Sequence, residues 1–265
     1  MMADKVVAGP ISDACGVREA VCVHTGKIYA SCQDKDCVED LRVFPTESSL
    51  SVLQAAQAVR ASRAELLSVV PIVEPVHFNR GFYTVDMTFY YRVVLQASAS
   101  GTVRFTELDG LSVFNKRIIL YGGELGAKSF SSAASEPVVL SGRGVPTAVV
   151  EALDPMILAA QRVDCPGDER CEDTSVPAVP TAISAAFDSP LSLDGSAAVR
   201  AYVSLGQFSV VRLERDATLL IPTYDYCPPQ CECSDADIGG SEDPCALFDG
   251  VRFPTEQFFP SSCMR

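Results

Sequence analysis

The chain has 265 residues, of which 48% are hydrophobic, and its formal net charge at pH 7 is −13. This composition is typical of a folded protein with a sizeable core. The acidic balance argues against nucleic acid or an anionic membrane surface as a partner, because both attract basic patches. The longest apolar runs, such as LLSVVPIV at 66–73, are too short to span a bilayer, so we expect no membrane span.

The first part of the chain contains two short strand-like runs, AVCVH and KIYASC, on either side of a predicted His-Thr-Gly turn. Residues 48–62 begin with serines and continue with alanines, which favours a helix. The following run RAELLSVV is typical of a strand.

The clearest periodic segment is 81–99, GFYTVDMTFYYRVVLQASA. Large apolar side chains occupy every second position, whereas Asp86, Thr88 and Arg92 lie on the other parity. Successive side chains of a strand point to opposite faces of the sheet, so this alternation predicts a strand with one buried face. The residues predicted to be buried are Val85, Met87, Phe89, Tyr91, Val93 and Leu95.

Further strand-like runs, rich in Val, Ile, Phe and Tyr, follow at 102–108, 111–121, 147–152, 198–204, 207–213 and 217–221. Residues 154–163, with Pro155 in the first turn, favour a short helix. The stretches 122–146 and 165–193 are rich in Gly, Ser or Pro and predict long loops or linkers.

The sequence therefore predicts a mainly β protein with a β-sandwich-like body, few short helices and cysteine-bearing terminal arms. We expect a cysteine-bearing N-terminal region at 1–46, a first β-unit at 47–163, a loop or linker at 164–197, and a second β-unit with a cysteine-rich end at 198–265. A repeated octapeptide, DLRVFPTE at 40–47 and DGVRFPTE at 249–256, leaves open whether the two units are similar. We expect both copies to mark the junction between an arm and the body, in similar conformations, with Pro45 and Pro254 ending a strand.

The cysteines form three clusters, near the N-terminus, in the middle loop and near the C-terminus, and none has the C-x2-C spacing of zinc or thioredoxin-like sites. We therefore predict no metal site and no cofactor, and interpret the thiols as disulfide or cross-link residues. An odd total leaves at least one cysteine for an intermolecular bond or as a free thiol. The cysteines are Cys15, Cys22, Cys32, Cys37, Cys165, Cys171, Cys227, Cys231, Cys233, Cys245 and Cys263.

The acidic run CPPQCECSDADIGGSEDPC at 227–245 resembles the start of a calcium loop at Asp235 and Asp237, but lacks the glutamate that would complete it. We interpret it as a solvated loop, with a weak calcium site as the alternative. The two histidines, His24 and His77, lie in no recognisable catalytic context, and no hydrolase, phosphate-binding, dinucleotide-binding or zinc-protease motif occurs. We therefore predict no catalytic residues and no enzyme activity.

The N-terminal residues MMADKVVAGP lack the basic and then apolar pattern of a signal peptide, although so many cysteines suit an oxidising compartment. The runs DKDCVEDLRVFPT, VEPVHFNRGFYTVDMTFYYRV, GLSVFNKRIILYG, FSVVRLERDATLLIPTYDYC and PCALFDGVRFPTEQFFP resemble a group of uncharacterised, cysteine-bearing proteins of spore-forming anaerobic (clostridial) bacteria. The resemblance covers most of the chain. It implies a link to self-assembling exosporium and spore-coat proteins, which reach the spore surface without a signal peptide.

We therefore expect a structural protein that assembles with itself, and with other surface-layer proteins, into a disulfide-reinforced layer, tube or filament at a spore surface or in another extracellular setting. The alternative is a soluble, disulfide-stabilised binding module for calcium or a glycan, and an enzyme of unrecognised class comes third.

Overall fold

The computed structural model describes residues 21–98, 105–124, 145–165, 175–195, 197–221, 248 and 250–258. The prediction of a mainly β protein is confirmed. In chain order the elements are β1 (Val21–Pro45), α1 (Glu47–Ala55), β2 (Ala58–Pro75), β3 (Phe82–Ser98), β4 (Phe105–Tyr121), β5 (Thr147–Ala152), β6 (Met156–Asp164), α2 (Thr181–Ser184), β7 (Val199–Ile221) and α3 (Thr255–Phe258).

All described strands belong to one antiparallel sheet in the order β2-β3-β4-β1-β7-β5, and β6 pairs with β7 beside β5. The sheet curves until β2 approaches β6 and β5, and the backbone N–H of Leu66 donates a hydrogen bond to Asp154 Oδ1 at 2.8 Å across this gap. The sandwich-like body expected from the sequence is not confirmed, because the core is enclosed by one nearly barrel-like sheet.

Strand β3 confirms the alternation in the sequence. Its predicted inward residues are all buried in the main core, together with residues of β4 and β7 such as Leu108, Leu205 and Leu213. The other parity is half-buried except at Tyr90, which is covered from outside, and at Val94, which is also buried. The register of β3 with β2 and β4 is regular over most of its length, so this three-stranded unit is firmly defined.

Three strands continue through positions where the sequence predicts a break. Strand β1 runs through His24 to Gly26, β4 runs through Asp109-Gly110, and β7 covers three predicted runs. At Gly110 the reason is close approach to β1, because a Cβ there would lie 2.7 Å from the carbonyl oxygen of Phe44. Asp109 pairs with Arg92 at 2.6 Å. These residues therefore serve packing and ion pairing within a strand rather than a turn.

The helix predicted at 154–163 is wrong, because Met156–Asp164 forms β6 and pairs with β7. A short run of Ile, Leu and Ala is compatible with either structure, and pairing with a long central strand decides between them. The predicted helix at 48–62 is correct only for its first half, since α1 ends at Ala55 and β2 begins at Ala58.

The prediction that the first cysteines lie on a terminal arm is wrong for Cys22, Cys32 and Cys37, because all three lie on β1 in the middle of the sheet. β1 pairs with β7 from Val21 to Val43. The predicted ranges 1–46, 47–163 and 198–265 therefore all contribute strands to the same sheet.

Part of the predicted loop at 164–197 packs on the outer face of the sheet. Ile183 and Phe187, from and just after α2, contact Tyr90 of β3 and Leu111 of β4 in a second, smaller core. The Tyr90 hydroxyl donates a hydrogen bond to the carbonyl of Ala178 at 3.1 Å. This segment is therefore fixed against the sheet.

The two octapeptide copies share one feature and differ in another. A helix follows both prolines: α1 begins at Glu47, two residues after Pro45, and α3 begins at Thr255, directly after Pro254. Pro45 ends strand β1 as predicted, whereas Pro254 follows no strand. The prediction of similar conformations is therefore correct for the helix start and wrong for the strand that should precede it.

Candidate interaction site

A groove of about 650 Å³ opens on the outer face of the sheet, where β4 separates from β1. Segment 175–178 covers one side of it, and β6 and β7 form the opposite side. The lining residues are Glu39, Asp40, Leu41, Arg42, Phe44, Val113, Asn115, Gln161, Val163, Ser175, Val176, Pro177, Ala178 and Tyr202. We call this surface the groove.

The groove has a polar wall centred on Asp40. The register of β1 against β7 shifts between Val38 and Leu41, and at this bulge Asp40 adopts a positive φ of 46°. Its backbone N–H donates to Ser204 Oγ at 3.4 Å, and its Oδ1 accepts a hydrogen bond from Gln161 Nε2. Bulges redirect side chains, and here the bulge holds an exposed carboxylate at the groove.

The opposite wall is largely apolar. Val113 of β4 is half-buried, and Val176 is 46% exposed. Phe44 is 5% exposed, and the guanidinium carbon of Arg42 lies 4.6 Å from its ring centroid. The groove therefore combines an aromatic and aliphatic side with a carboxylate side, an arrangement suited to an amphipathic group.

A second unusual feature is the loop 76–81 between β2 and β3, which we call the hairpin tip. Phe78 is fully exposed, with a positive φ of 66°. Hydrogen bonds from Val76 N–H to Phe82 O at 3.0 Å and from Phe82 N–H to Asn79 O at 3.2 Å fix the loop. Asp40 and Phe78 are the two non-glycine residues with positive φ in the described part of the chain.

The outer face of β2, β3 and β4 carries a third feature, four large exposed side chains. The register places Val70 and Ile72 of β2 and Ile119 and Tyr121 of β4 on the same face, on either side of β3. Their exposed fractions are 39%, 55%, 57% and 45%, respectively. We call these four residues the apolar face.

The most highly charged part of the interior lies where β1 and β4 are no longer paired. Lys116 of β4 forms ion pairs with Asp34 and Asp36 of β1, and all three side chains are at most 7% exposed. Burial lowers the pKa of Lys116, but the charges of Asp36 and Asp34 outweigh burial and raise the pKa above its ordinary value. The cluster links the two strands across the gap and is closed to a ligand from solvent.

A second buried cation links β7 to the ends of β3 and β4. Arg215 Nε donates to the carbonyl of Gly122 at 2.6 Å, and its Nη2 donates to Tyr83 Oη at 2.8 Å and to the carbonyl of Gly123 at 3.1 Å. Neutral oxygens thus hold this guanidinium, which is 8% exposed at the residue level. Both buried cations lie at places where backbone pairing between neighbouring strands ends, and we infer that they hold the curved sheet together.

Among the predicted cysteine sites, four fall in the described residues. Cys32, Cys37 and Cys165 are disulfide-bonded, and Cys22 is an exposed free thiol. Cys32 is 5% exposed, so its bond is internal to the molecule rather than a link between subunits. The remaining predicted residues lie outside the described residues, including Cys15, Cys171, Cys227, Cys231, Cys233, Cys245 and Cys263 and the calcium candidates Asp235 and Asp237.

The histidines contribute no site in the described residues. His24 is exposed on β1, and His77 is exposed in the hairpin tip. Within the ranges that the structure describes, no three His, Cys, Asp or Glu side chains come together as metal ligands would. No helix in the same ranges is long and apolar enough to cross a membrane.

Sequence reasoning did not find the groove or the conformation of the tip. The groove assembles residues from β1, β4, β6, β7 and segment 175–178, which are far apart along the chain. The signal that could have found the tip is the run Phe78-Asn79-Arg80-Gly81, where an aromatic residue precedes Asn and Gly, the usual residues of a turn.

Comparison with known proteins gives no relative. No protein-family model matches the chain, and neither a curated protein nor a solved structure matches it.

Proposed function

We propose that the protein is a structural component that associates with itself into an ordered layer, tube or filament at a spore or cell surface. The observation that carries this proposal is the apolar face. Two pairs of large apolar side chains, Val70 with Ile72 and Ile119 with Tyr121, are exposed on one face of a regular three-stranded unit, on either side of the polar residues Thr84, Asp86 and Thr88 of β3. Clustered exposed apolar side chains rimmed by polar ones support a surface that a partner covers.

Two charged residues beside the apolar face favour a second copy of the chain as that partner. Asp86 of β3 lies between Ile72 of β2 and Arg117 of β4, two residues before Ile119, and Arg117 Nη2 donates to Asp86 Oδ2 at 2.8 Å. The hydrogen bond from Arg117 holds the pKa of Asp86 below its ordinary value. In a contact with twofold symmetry, each copy's Arg117 would also approach the other copy's Asp86, which makes the surface self-complementary.

The cysteines give the proposed assembly a covalent component. Cys22 is the described thiol that is both free and exposed, so it is the residue we expect to cross-link copies. Cys32 is excluded from this role by its burial. The proposal therefore differs from the sequence-based expectation, which assigned cross-linking to the cysteine clusters as a whole.

The location at a spore or cell surface and the absence of enzyme activity rest on the sequence. The resemblance of the runs quoted above supports the location. Other surface-layer proteins remain proposed additional partners.

Sedimentation velocity of purified protein over a range of concentrations, followed by electron microscopy, tests the proposal. We expect concentration-dependent oligomers in the wild type, reduced association in Ile72→Asp, and wild-type association in Ile28→Asp. Ile28 is a matched control, because it is 43% exposed but lies on β1. A wild-type protein that stays monomeric at every concentration, in reducing and non-reducing buffer, would disprove the proposal.

A second experiment, by gel electrophoresis, tests the proposed cross-link between copies. Non-reducing electrophoresis of assembled wild-type protein is expected to give a ladder that reduction removes, and Cys22→Ser is expected to lack the Cys22-dependent bands. An unchanged ladder in Cys22→Ser would remove Cys22 from the proposal and leave self-association intact.

The second candidate function is binding of a polar ligand such as a glycan, and the polar wall of the groove favours it. Asp40, Asn115, Gln161 and Tyr202 offer the acceptors, donors and aromatic surface that hydroxyl-rich molecules use. Calorimetric titration with a panel of soluble oligosaccharides tests it, with Gln161→Ala as the variant expected to lose binding.

A further inference from the structure

We propose that the hairpin tip of one molecule inserts into the groove of the next, so that copies of the chain join head to tail. This inference rests on the self-association proposed above and names one of its contacts. It assigns a specific occupant to the groove, namely residues 77–80 of a second copy, with Phe78 as the anchor.

The tip has the properties of an anchor that lacks its partner surface. Phe78 is the most exposed large apolar side chain in the described residues, and its φ of 66° is unusual for an aromatic residue. Strained backbone persists where the surroundings enforce it, and it concentrates at sites that bind or switch. Hydrogen bonds between Val76, Asn79 and Phe82 close the loop on either side of Phe78, and its ring is fully exposed to solvent.

The groove complements the tip in shape and charge. Its apolar side, formed by Val113 and Val176 with the largely buried Phe44 beside them, suits an inserted aromatic ring. Arg80 is exposed two residues after Phe78 and forms no ion pair with a described residue, while Asp40 presents an exposed carboxylate on the polar wall. Insertion would place the Phe78 ring against the apolar wall and the Arg80 guanidinium near the Asp40 carboxylate.

The positions of the two surfaces make the contact head to tail. Asn115 of the groove is paired with Thr88, and the tip begins beyond Phe82 on the same strand. Thr88 lies six positions along the strand from Phe82, a distance of roughly 20 Å, so a molecule cannot fill its own groove with its own tip. A contact between two different surfaces does not close on itself as a twofold contact does, and it can extend into a filament.

The test uses proteins that carry Ile72→Asp, so that the apolar face makes no contribution. In this background we expect concentration-dependent chains. Phe78→Ala and Ala178→Trp should each weaken association by about tenfold or more. Ala178→Trp places a large ring in the groove at an exposed position. Phe105→Ala is the matched control, since Phe105 is 48% exposed but lies at the start of β4, away from the tip.

Mixing provides the decisive measurement. The Phe78→Ala protein keeps an intact groove, and the Ala178→Trp protein keeps an intact tip. At a concentration where each variant alone is monomeric, an equimolar mixture should therefore form a one-to-one heterodimer and nothing larger. Arg80→Glu should weaken the same heterodimer when it is introduced into the protein with the intact tip.

The outcomes separate this inference from the proposed function. If wild-type protein assembles but the Ile72→Asp protein with intact tip and groove is monomeric, the head-to-tail contact is wrong and self-association through the apolar face stands. If Ala178→Trp weakens association and Phe78→Ala does not, the groove holds a different segment and the inference is wrong. If wild-type protein does not assemble at all, the proposed function is wrong, and the head-to-tail contact is wrong with it.

Discussion

The ion cluster of Lys116 with Asp34 and Asp36 allows a sharp prediction for the variant Lys116→Met. Methionine fills a similar volume but removes the cation, and it leaves two carboxylates that are 1% and 7% exposed at the side chain. Removing one partner from a buried ion pair costs about 3–5 kcal/mol, because the remaining charge stays buried without compensation. Typical domains have a free energy of unfolding of about 5–15 kcal/mol, so the loss would be a large part of the total.

Urea unfolding followed by circular dichroism measures this loss, with Arg117→Met as the matched control. Arg117 is the next residue on β4 and is also ion-paired, with Asp86, but its side chain is 68% exposed. We expect a much smaller effect there, because solvent screens exposed pairs. Equal losses in the two variants would contradict the assignment of a stabilising role to the buried cluster.

The pH dependence of the Lys116→Met variant separates lost charge from altered packing. Without the cation, the folded state can relieve its buried negative charge by binding protons, so it binds more protons than the unfolded state. Stability relative to wild type should then recover partly between about pH 7 and about pH 5. A loss that is constant with pH would show that packing, not charge, causes the effect.

Three further predictions concern the interior. The Tyr91 hydroxyl is buried with no hydrogen-bond partner among the described residues, whereas the Tyr83 hydroxyl accepts a hydrogen bond from Arg215. In urea unfolding, Tyr91→Phe should therefore leave the free energy of unfolding unchanged or raise it, and Tyr83→Phe should lower it by about 1–3 kcal/mol. Burial raises the pKa of Tyr91, so above about pH 10 the unfolded chain ionises this tyrosine while the folded chain does not, and stability falls as pH rises further. The neighbouring carboxylates raise the pKa of Lys116 despite burial, and the stability that this lysine contributes is lost over the same alkaline range. Tyr91→Phe should therefore lose stability less steeply at alkaline pH than the wild type does. Gly110→Ala should lower the free energy of unfolding by about 1–3 kcal/mol, because the new methyl group would meet the backbone of Phe44. Gly26→Ala should be close to neutral, because its methyl group would meet the end of the flexible Glu214 side chain. Equal effects of the two changes would refute the argument from backbone contact.

The strand content and the inward face of β3 were predictable, because a period of two over seventeen residues has few alternative interpretations. The breaks within β1, β4 and β7 were predicted wrongly from glycine and aspartate. Gly110 and Asp109 illustrate the cause, since their roles are set by Phe44 and Arg92 on neighbouring strands. Local chemistry predicts a turn there, and only the tertiary neighbours favour a continuous strand.

The candidate interaction sites could not be predicted for a related reason. The groove exists because β4 leaves β1 after a few paired residues, and no local pattern states where two strands separate. Phe78 was visible in the sequence as part of a loop, but its exposure depends on hydrogen bonds that fix the loop. The charged cluster behind the groove was equally hidden, because Asp34 and Asp36 have the alternation of any half-exposed strand.

The buried ion cluster also bears on the proposed contacts, because it holds the strands that form the groove in fixed positions. Association loses binding free energy whenever a surface must be ordered as it forms a contact, so a preorganised surface binds more tightly for the same buried area. The tip is held by its own backbone hydrogen bonds, and the groove lies directly outside the place where Lys116 links β4 to β1. In the Ile72→Asp background, where the apolar face makes no contribution, Lys116→Met should therefore weaken head-to-tail association more than Arg117→Met does, even at temperatures where both variants remain folded. Equal association by the two variants would show that the groove keeps its shape without the buried cation.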